Sequence, residues 1–161
     1  MLAQLSSCRT YRYKLYRDVN ALGDKVIAYF GINPSTADES TDDATVRKWR
    51  GFTERANGKT FIVGNVFGYR ATDVNELAKV HDPVGLENQK HILDVIDEAD
   101  ILVPCWGSRK KLPKELWDNL DNFMSILLQS GKPVYCFGKT ASGDPKHPLM
   151  LGYDTKLVIW E

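Results

Sequence analysis

The chain lacks net charge: 21 basic residues balance 21 acidic ones over 161 positions. No global field therefore draws it toward nucleic acid or a membrane surface, and any contact with a polyanion must come from a local patch. Cysteine is scarce. Cys8, Cys105 and Cys136 are odd in number and widely spaced, with no C-x-x-C pair, which argues against a disulfide framework and against zinc. Cys105 and Cys136 lie in apolar, strand-like runs and read as buried thiols of a reducing compartment. No apolar run approaches the roughly 20 residues needed to span a bilayer, and the N-terminus lacks the apolar core of a signal peptide. Repeats, low-complexity tracts and linkers are missing too. The expectation is one cytoplasmic domain over residues 1–161, monomeric and without a metal, cofactor or membrane partner. A chain of this length buries a core without staples.

What is present centres on Val26 to Ser35, V-I-A-Y-F-G-I-N-P-S. An apolar run of strand length ends at Gly31 and passes into polar, turn-forming residues. Phe61–Val66, Asp100–Trp106 and Pro133–Gly138 repeat the pattern. Between them, Val46, Trp49 and Phe52 recur at helical spacing behind Thr41, Asp42 and Asp43, which are suitable caps. Gly85–Ala99 reads as a second helix, and Lys114–Gln129 as a third with an amphipathic stripe. Earlier, Cys8–Val19 alternates Tyr11, Tyr13 and Leu15 with Arg12, Lys14 and Arg17. That suggests a half-exposed strand hairpinned to the next through Asn20–Asp24. Leu157–Trp160 reads as a closing strand. Strands alternating with helices predict a three-layer α/β/α sandwich around a largely parallel sheet.

In such a sheet, side chains just past the carboxyl end of a strand stand at the mouth of a crevice. Four exits carry Asn33, Asn65, Trp106-Gly107-Ser108 and, one loop later, His147. Asn65 has one acceptor and two donors, enough to match the N3–H and O4 edge of a pyrimidine. Arg109, Lys110, Lys111 and Lys114 form the only dense basic cluster, either solvated or facing phosphates. Asp42 and Asp43 serve first as helix caps, and Phe67 and Tyr69 first as core.

These motifs resemble the uracil-DNA glycosylase superfamily. G-I-N-P-S at Gly31–Ser35 is similar to its first motif, G-N-V-F-G-Y-R-A at Gly64–Ala71 to its base-reading strand, I-L-V-P-C-W-G-S at Ile101–Ser108 to its F-L-L-W-G-S strand, and H-P-L at His147–Leu149 to its histidine loop. N-P-S-T-A-D, D-D-A-T-V-R, G-Y-R-A-T-D and D-P-V-G-x-E-N resemble, over almost the whole chain, a bacterial and phage family catalogued only as a domain of unknown function. The first resemblance implies a glycosylase-like fold and hydrolysis of the N-glycosidic bond of a pyrimidine, ordinary or modified, in DNA. It further implies that Asn65 reads the base, with Gly31, Ser35 and Phe67 around it. His147 would donate to a base oxygen, and Asn33 would hold the water. Leu149 or Met150 would wedge into the vacated stack, while Ser108, Arg109, Lys110 and Lys111 meet the DNA backbone.

The chain departs from that pattern in several places. Asn33 stands where the uracil-specific branch has aspartate, so a slow enzyme is expected, one that Asn33→Asp should quicken. Ser35 replaces a bulky tyrosine, which should loosen discrimination against 5-substituted bases. Asp42, Asp43, Thr45 and Arg47 have no counterpart in the active branches and are either caps or the family's own catalytic group, with Asp43 the candidate. Two other classes remain open: a non-catalytic nucleic-acid or nucleotide-binding module, and an enzyme acting on free or hypermodified phage nucleotides.

Overall fold

The computed structural model describes residues 3–35, 37–38 and 40–161; Thr36 of the N-P-S-T-A-D motif lies outside them. In chain order the elements are β1 (Ala3–Leu5), β2 (Arg12–Asp18), β3 (Lys25–Gly31), α1 (Ala44–Arg55), β4 (Gly58–Asn65), α2 (Asn88–Glu98), β5 (Ile101–Pro104), α3 (Trp117–Gln129), β6 (Tyr135–Cys136) and β7 (Val158–Ile159). The main sheet has five strands in the order β1-β2-β4-β3-β5. β3 runs parallel to β4 and β5, whereas β2 joins β4 and β1 joins β2 antiparallel. Val134, just before β6, forms a single parallel bridge with Leu102 of β5, and β6 pairs with β7 in a separate ribbon. The fold is mixed α/β.

Two expectations about the sheet are corrected. It is mixed rather than largely parallel, and β2 is not hairpinned to β3. The turn over 20–24 instead straddles the start of β4. Val19 and Asn20 both donate backbone N–H groups to Lys59 O, and Asp24 donates to Asn57 O. Gly23 packs so tightly here that a Cβ would lie 2.5 Å from the Gly58 carbonyl carbon. β3 therefore emerges on the far side of β4, leaving β2 to pair with β4. Turn chemistry specifies a reversal of direction, not what the reversal spans.

Period-two alternation splits the core across the sheet. Ala28, Phe30, Ile62 and Leu102 meet Ile92, Val95, Leu120 and Phe123 of α2 and α3. Ile27, Tyr29, Phe61 and Val63 meet Val46, Trp49 and Phe52 of α1. Burying side chains of this size stabilises by roughly 1.5–3 kcal/mol each, so helices hold to both faces. Asp43 caps α1 by accepting from Val46 N at 2.9 Å. α3 starts at Trp117, after a 3₁₀ turn over Lys114–Leu116. Cys105 and Cys136 are buried and Cys8 is exposed; burial pushes the Cys105 thiol up to about 12. Among the described residues no helix is long and apolar enough to cross a membrane.

The expected exposed face of β2 is also corrected. Arg12 and Arg17 are only 3% and 5% exposed, because the segment before α1 folds over them. Arg12 Nη1 donates to Ala37 O, while Arg17 donates to Asp38 O and to the Asp42 carboxylate.

Candidate functional site

A cavity of about 370 Å³ opens at the carboxyl ends of β3, β4 and β5. Topology puts it there. The chain leaves β3 to form β4 on one side and then crosses to form β5 on the other, so the exit loops of β3 and β5 part and leave a crevice. The β3 exit supplies Gly31, Ile32, Asn33, Pro34 and Ser35, the last residue of β4 is Asn65, and the β5 exit supplies Trp106, Gly107 and Ser108. Asp43, Thr45 and Trp49 enter from the α1 side, His147, Leu149 and Met150 from the loop after β6, and Arg12 from β2.

Three residues that line the cavity each bury an unpaired donor. Of five buried side-chain N or O atoms without a hydrogen-bond partner among the described residues, Arg12 Nε, Asn65 Nδ2 and Trp106 Nε1 belong to residues that line it. Each such group costs roughly 1–3 kcal/mol, and buried polar groups are normally satisfied. Their gathering around one cavity suits a ligand with several acceptors.

Asn65 is 2% exposed. Its Oδ1 lies over Gly31, where a Cβ would come within 2.9 Å of it, so the missing side chain at 31 makes room for the amide. From behind, Asn88 Nδ2 donates to Asn65 O at 3.0 Å and steadies the end of β4. Asn33 has a different employment. Its Nδ2 donates to Ala71 O at 2.7 Å, Pro34 O at 3.0 Å and Tyr69 O at 3.4 Å. That stitches segment 69–71 to the β3 exit and leaves only Oδ1 for a ligand or water.

His147 Nδ1 accepts the Leu149 backbone N–H at 3.1 Å, so the neutral ring carries its proton on Nε2. Burial holds the imidazole pKa below its ordinary value, Lys111 adds to this, and Asp43 opposes it. The ring is therefore a neutral donor at pH 7. Asp43 is the only carboxylate among the described lining residues. One of its oxygens caps α1, and the other has no hydrogen-bond partner among the described residues. Burial lowers the Arg12 pKa to about 10, Asp43 counters this, and Arg70 and Arg17 add to the lowering. Arg12 stays a cation at neutral pH. Among the described residues no group of three or more His, Cys, Asp or Glu side chains is placed to hold a metal ion.

Of the residues expected from sequence, Gly31, Asn33, Ser35, Asp43, Asn65, Ser108, Lys111, His147, Leu149 and Met150 line this one cavity. Three others do not. Phe67 is fully buried in the core on the α2 and α3 side, where its ring is committed to packing. Arg109 is held by Asp144 at 3.0 Å and Asp121 at 2.8 Å; Asp144, 2% exposed, also accepts from Arg109 N and Ser142 Oγ. Lys110 is exposed and is not among the lining residues. Thr45 borders the cavity, whereas Asp42 pairs with Arg17 and Arg50, and Arg47 donates to Asp42 O. Sequence reasoning missed Arg12, because its place in Y-R-Y-K reads as the exposed half of an alternating strand. Trp106 was legible only as part of a strand exit, and Trp49 only as a core position of α1.

A family model described as "Protein of unknown function (DUF1643)" matches residues 12–149. No curated protein and no solved structure matched the chain.

Proposed function

The chain belongs to the DUF1643 family, whose description assigns no activity, and from the chemistry of the cavity we propose a uracil-DNA-glycosylase-like enzyme that hydrolyses the N-glycosidic bond of a pyrimidine, ordinary or modified, in DNA. In this reading the helices on either side of the sheet form the outer layers of a three-layer α/β/α sandwich. The observation that carries the proposal is the buried, unpaired Asn65 Nδ2 in the same cavity as the His147 donor and the Asp43 carboxylate.

Hydrolysis of this bond builds positive charge on the sugar and negative charge on the departing base, so the site must serve both. Asn65 holds the base edge. A water held by Asn33 Oδ1 and Asp43 attacks C1′; the new C1′–O bond forms as C1′–N1 breaks, and the bonding pair leaves with the base. Asp43 takes the proton from water as a general base. His147 Nε2–H donates to a base oxygen as its charge grows. Leu149 and Met150, 43% and 91% exposed at the rim, are available to contact the stack the base has left.

Single-turnover incubation with oligonucleotides carrying each labelled pyrimidine tests the reading. Base release is expected for at least one of them, with a loss of about 10²-fold or more in Asp43→Asn and His147→Gln. Binding without release on every substrate would make the protein a binding module. A second reading, action on a free nucleotide, is favoured by one observation: Arg109 is already ion-paired with Asp121 and Asp144, which removes it from the patch expected to meet the DNA backbone.

A further inference from the structure

We propose that Arg12 forms an anion subsite inside the cavity, so that the pyrimidine ligand enters with a phosphate held by the guanidinium while Asn65 holds its base. The inference rests on the reading of Asn65 as the base-binding residue. β2 carries two arginines of nearly equal burial, 3% exposed at Arg12 and 5% at Arg17. Arg17 is neutralised by Asp42 at 2.7 Å and donates to the carbonyls of Tyr16, Asp38 and Thr41. Among the described residues the Arg12 side chain has a single hydrogen bond, to Ala37 O at 2.9 Å, and its Nε has no partner. It makes no ion pair with any described carboxylate.

A buried guanidinium without a directly paired counter-ion is costly; among the described residues Arg17 has one in Asp42, whereas Arg12 has none within pairing distance and feels Asp43 and Asp38 only from farther away. The remaining difference is that Arg12 lines the cavity. Its counter-ion is therefore the ligand's. A guanidinium presents its N–H groups in a planar fork that matches phosphate, and the proposed ligand class carries phosphate next to the base. Lys111 also borders the cavity; among the described lining residues Asp43 is the only carboxylate and His147 is neutral, so their charge is +2 from Arg12 and Lys111 and −1 from Asp43, a net +1. A volume of about 370 Å³ lies within the usual range for small-molecule sites, about 300–1,000 Å³. The phosphate has two sources, the terminal monoester of a free 5′-mononucleotide or a diester of a strand whose base is turned into the cavity.

Calorimetric titration separates these possibilities, using uracil, thymine and cytosine deoxynucleosides, their 5′-monophosphates, single-stranded pentamers with the same base at the centre, and inorganic phosphate alone. For at least one base, the phosphate-bearing probe is expected to bind the wild type at least 30-fold more tightly than the nucleoside. Arg12→Met should reduce that ratio to threefold or less, and Arg12→Lys, which keeps the charge but not the fork, should restore part of it. Preference for the monophosphate identifies a free nucleotide, and preference for the pentamer a strand. Equal binding of nucleoside and phosphate-bearing probes, or a ratio that survives in Arg12→Met, overturns the subsite. If inorganic phosphate binds in an Arg12-dependent way while no nucleoside binds and all bases give the same affinity, the subsite stands and the base reading fails. If nothing binds, both fall.

Discussion

The side-chain amide of Asn33 donates to the carbonyl oxygen of Ala71 at 2.7 Å and shares its other contacts with the carbonyls of Pro34 and Tyr69. An aspartate at 33 would set a carboxylate oxygen against these three acceptors. The sequence-based expectation that Asn33→Asp quickens catalysis is therefore replaced by its opposite. Asn33→Asp should lose about 1–3 kcal/mol of stability in urea denaturation and should lower single-turnover excision. A faster variant of undiminished stability would show that the 69–71 contact does not govern this residue.

Gly31→Ala is expected to separate function from folding. The added Cβ would meet Asn65 Oδ1 at 2.9 Å and nothing else closer than Trp49 at 3.8 Å. A side-chain terminus can give way, so the fold should survive with a loss of under about 1–2 kcal/mol. The amide proposed to read the base would be displaced, and on that reading nucleoside affinity should fall at least about tenfold, the equivalent of roughly 1.4 kcal/mol. Retained affinity measured by calorimetry would remove Asn65 from the binding surface.

Asn65→Leu carries the complementary expectation. Because Nδ2 is buried and unpaired, replacing the amide by an apolar group of similar shape removes an unsatisfied donor and should be neutral or stabilising. Thermal denaturation should show a midpoint equal to or above that of the wild type while ligand binding is lost. A large drop in the midpoint would assign the amide a structural partner instead.

The pH dependence of stability follows from His147. Its pKa in the folded protein is lowered, first by burial and then by Lys111, with Asp43 opposing. The unfolded chain therefore takes up the proton more readily. The stability tied to the neutral ring is fully present above the ordinary value near 6.5, and it declines as pH falls through that value toward the lowered one. Protonation also removes Nδ1 as acceptor for Leu149 N. His91 is lowered too, by burial and Lys14, and contributes with the same sign. The measurable quantity is therefore a difference: denaturation midpoints of His147→Gln should fall less steeply below pH 6.5 than those of the wild type. Parallel curves would mean that the ring titrates freely.

Arg109 is expected to be a poor contributor to any DNA binding, since Asp144 and Asp121 hold it. Lys110→Ala and Lys111→Ala should each flatten the slope of log affinity against log salt by up to about 1, whereas Arg109→Ala should act mainly on stability. Asp144→Ala should cost about 1–3 kcal/mol, because Arg109 N loses its acceptor and the guanidinium loses its buried partner while the Asp121 bridge remains. A salt slope changed by Arg109→Ala at unchanged stability would return that side chain to the DNA-facing set.

Several elements were legible because their causes are local. Val26–Gly31 and Phe61–Asn65 announce themselves as strands by apolar runs broken at Gly and Asn. Val46, Trp49 and Phe52 announce α1 by their spacing behind the Asp43 cap. The strand exits at Asn33, Asn65 and Ser108 were readable for the same reason, and so was His147 in its proline-flanked loop. What eluded the reading depends on residues far apart in the chain. β2 pairs with β4 because the 20–24 turn crosses the start of β4, and no feature of that turn specifies what it crosses.

By itself, the sequence determined which segments are apolar enough to be strands, which are periodic enough to be helices, and which polar residues stand at strand ends; these follow from side-chain chemistry and backbone preference within a few residues. Tertiary structure alone decided the rest of the site. It buried Arg12 under the segment before α1 with no carboxylate partner among the described residues, gave Arg17, five residues along the same strand, such a partner in Asp42, and bound Arg109 to Asp121 and Asp144. Local sequence carries no information on whether a charged side chain will be covered or paired, because the groups that cover and pair it are brought up by the rest of the fold.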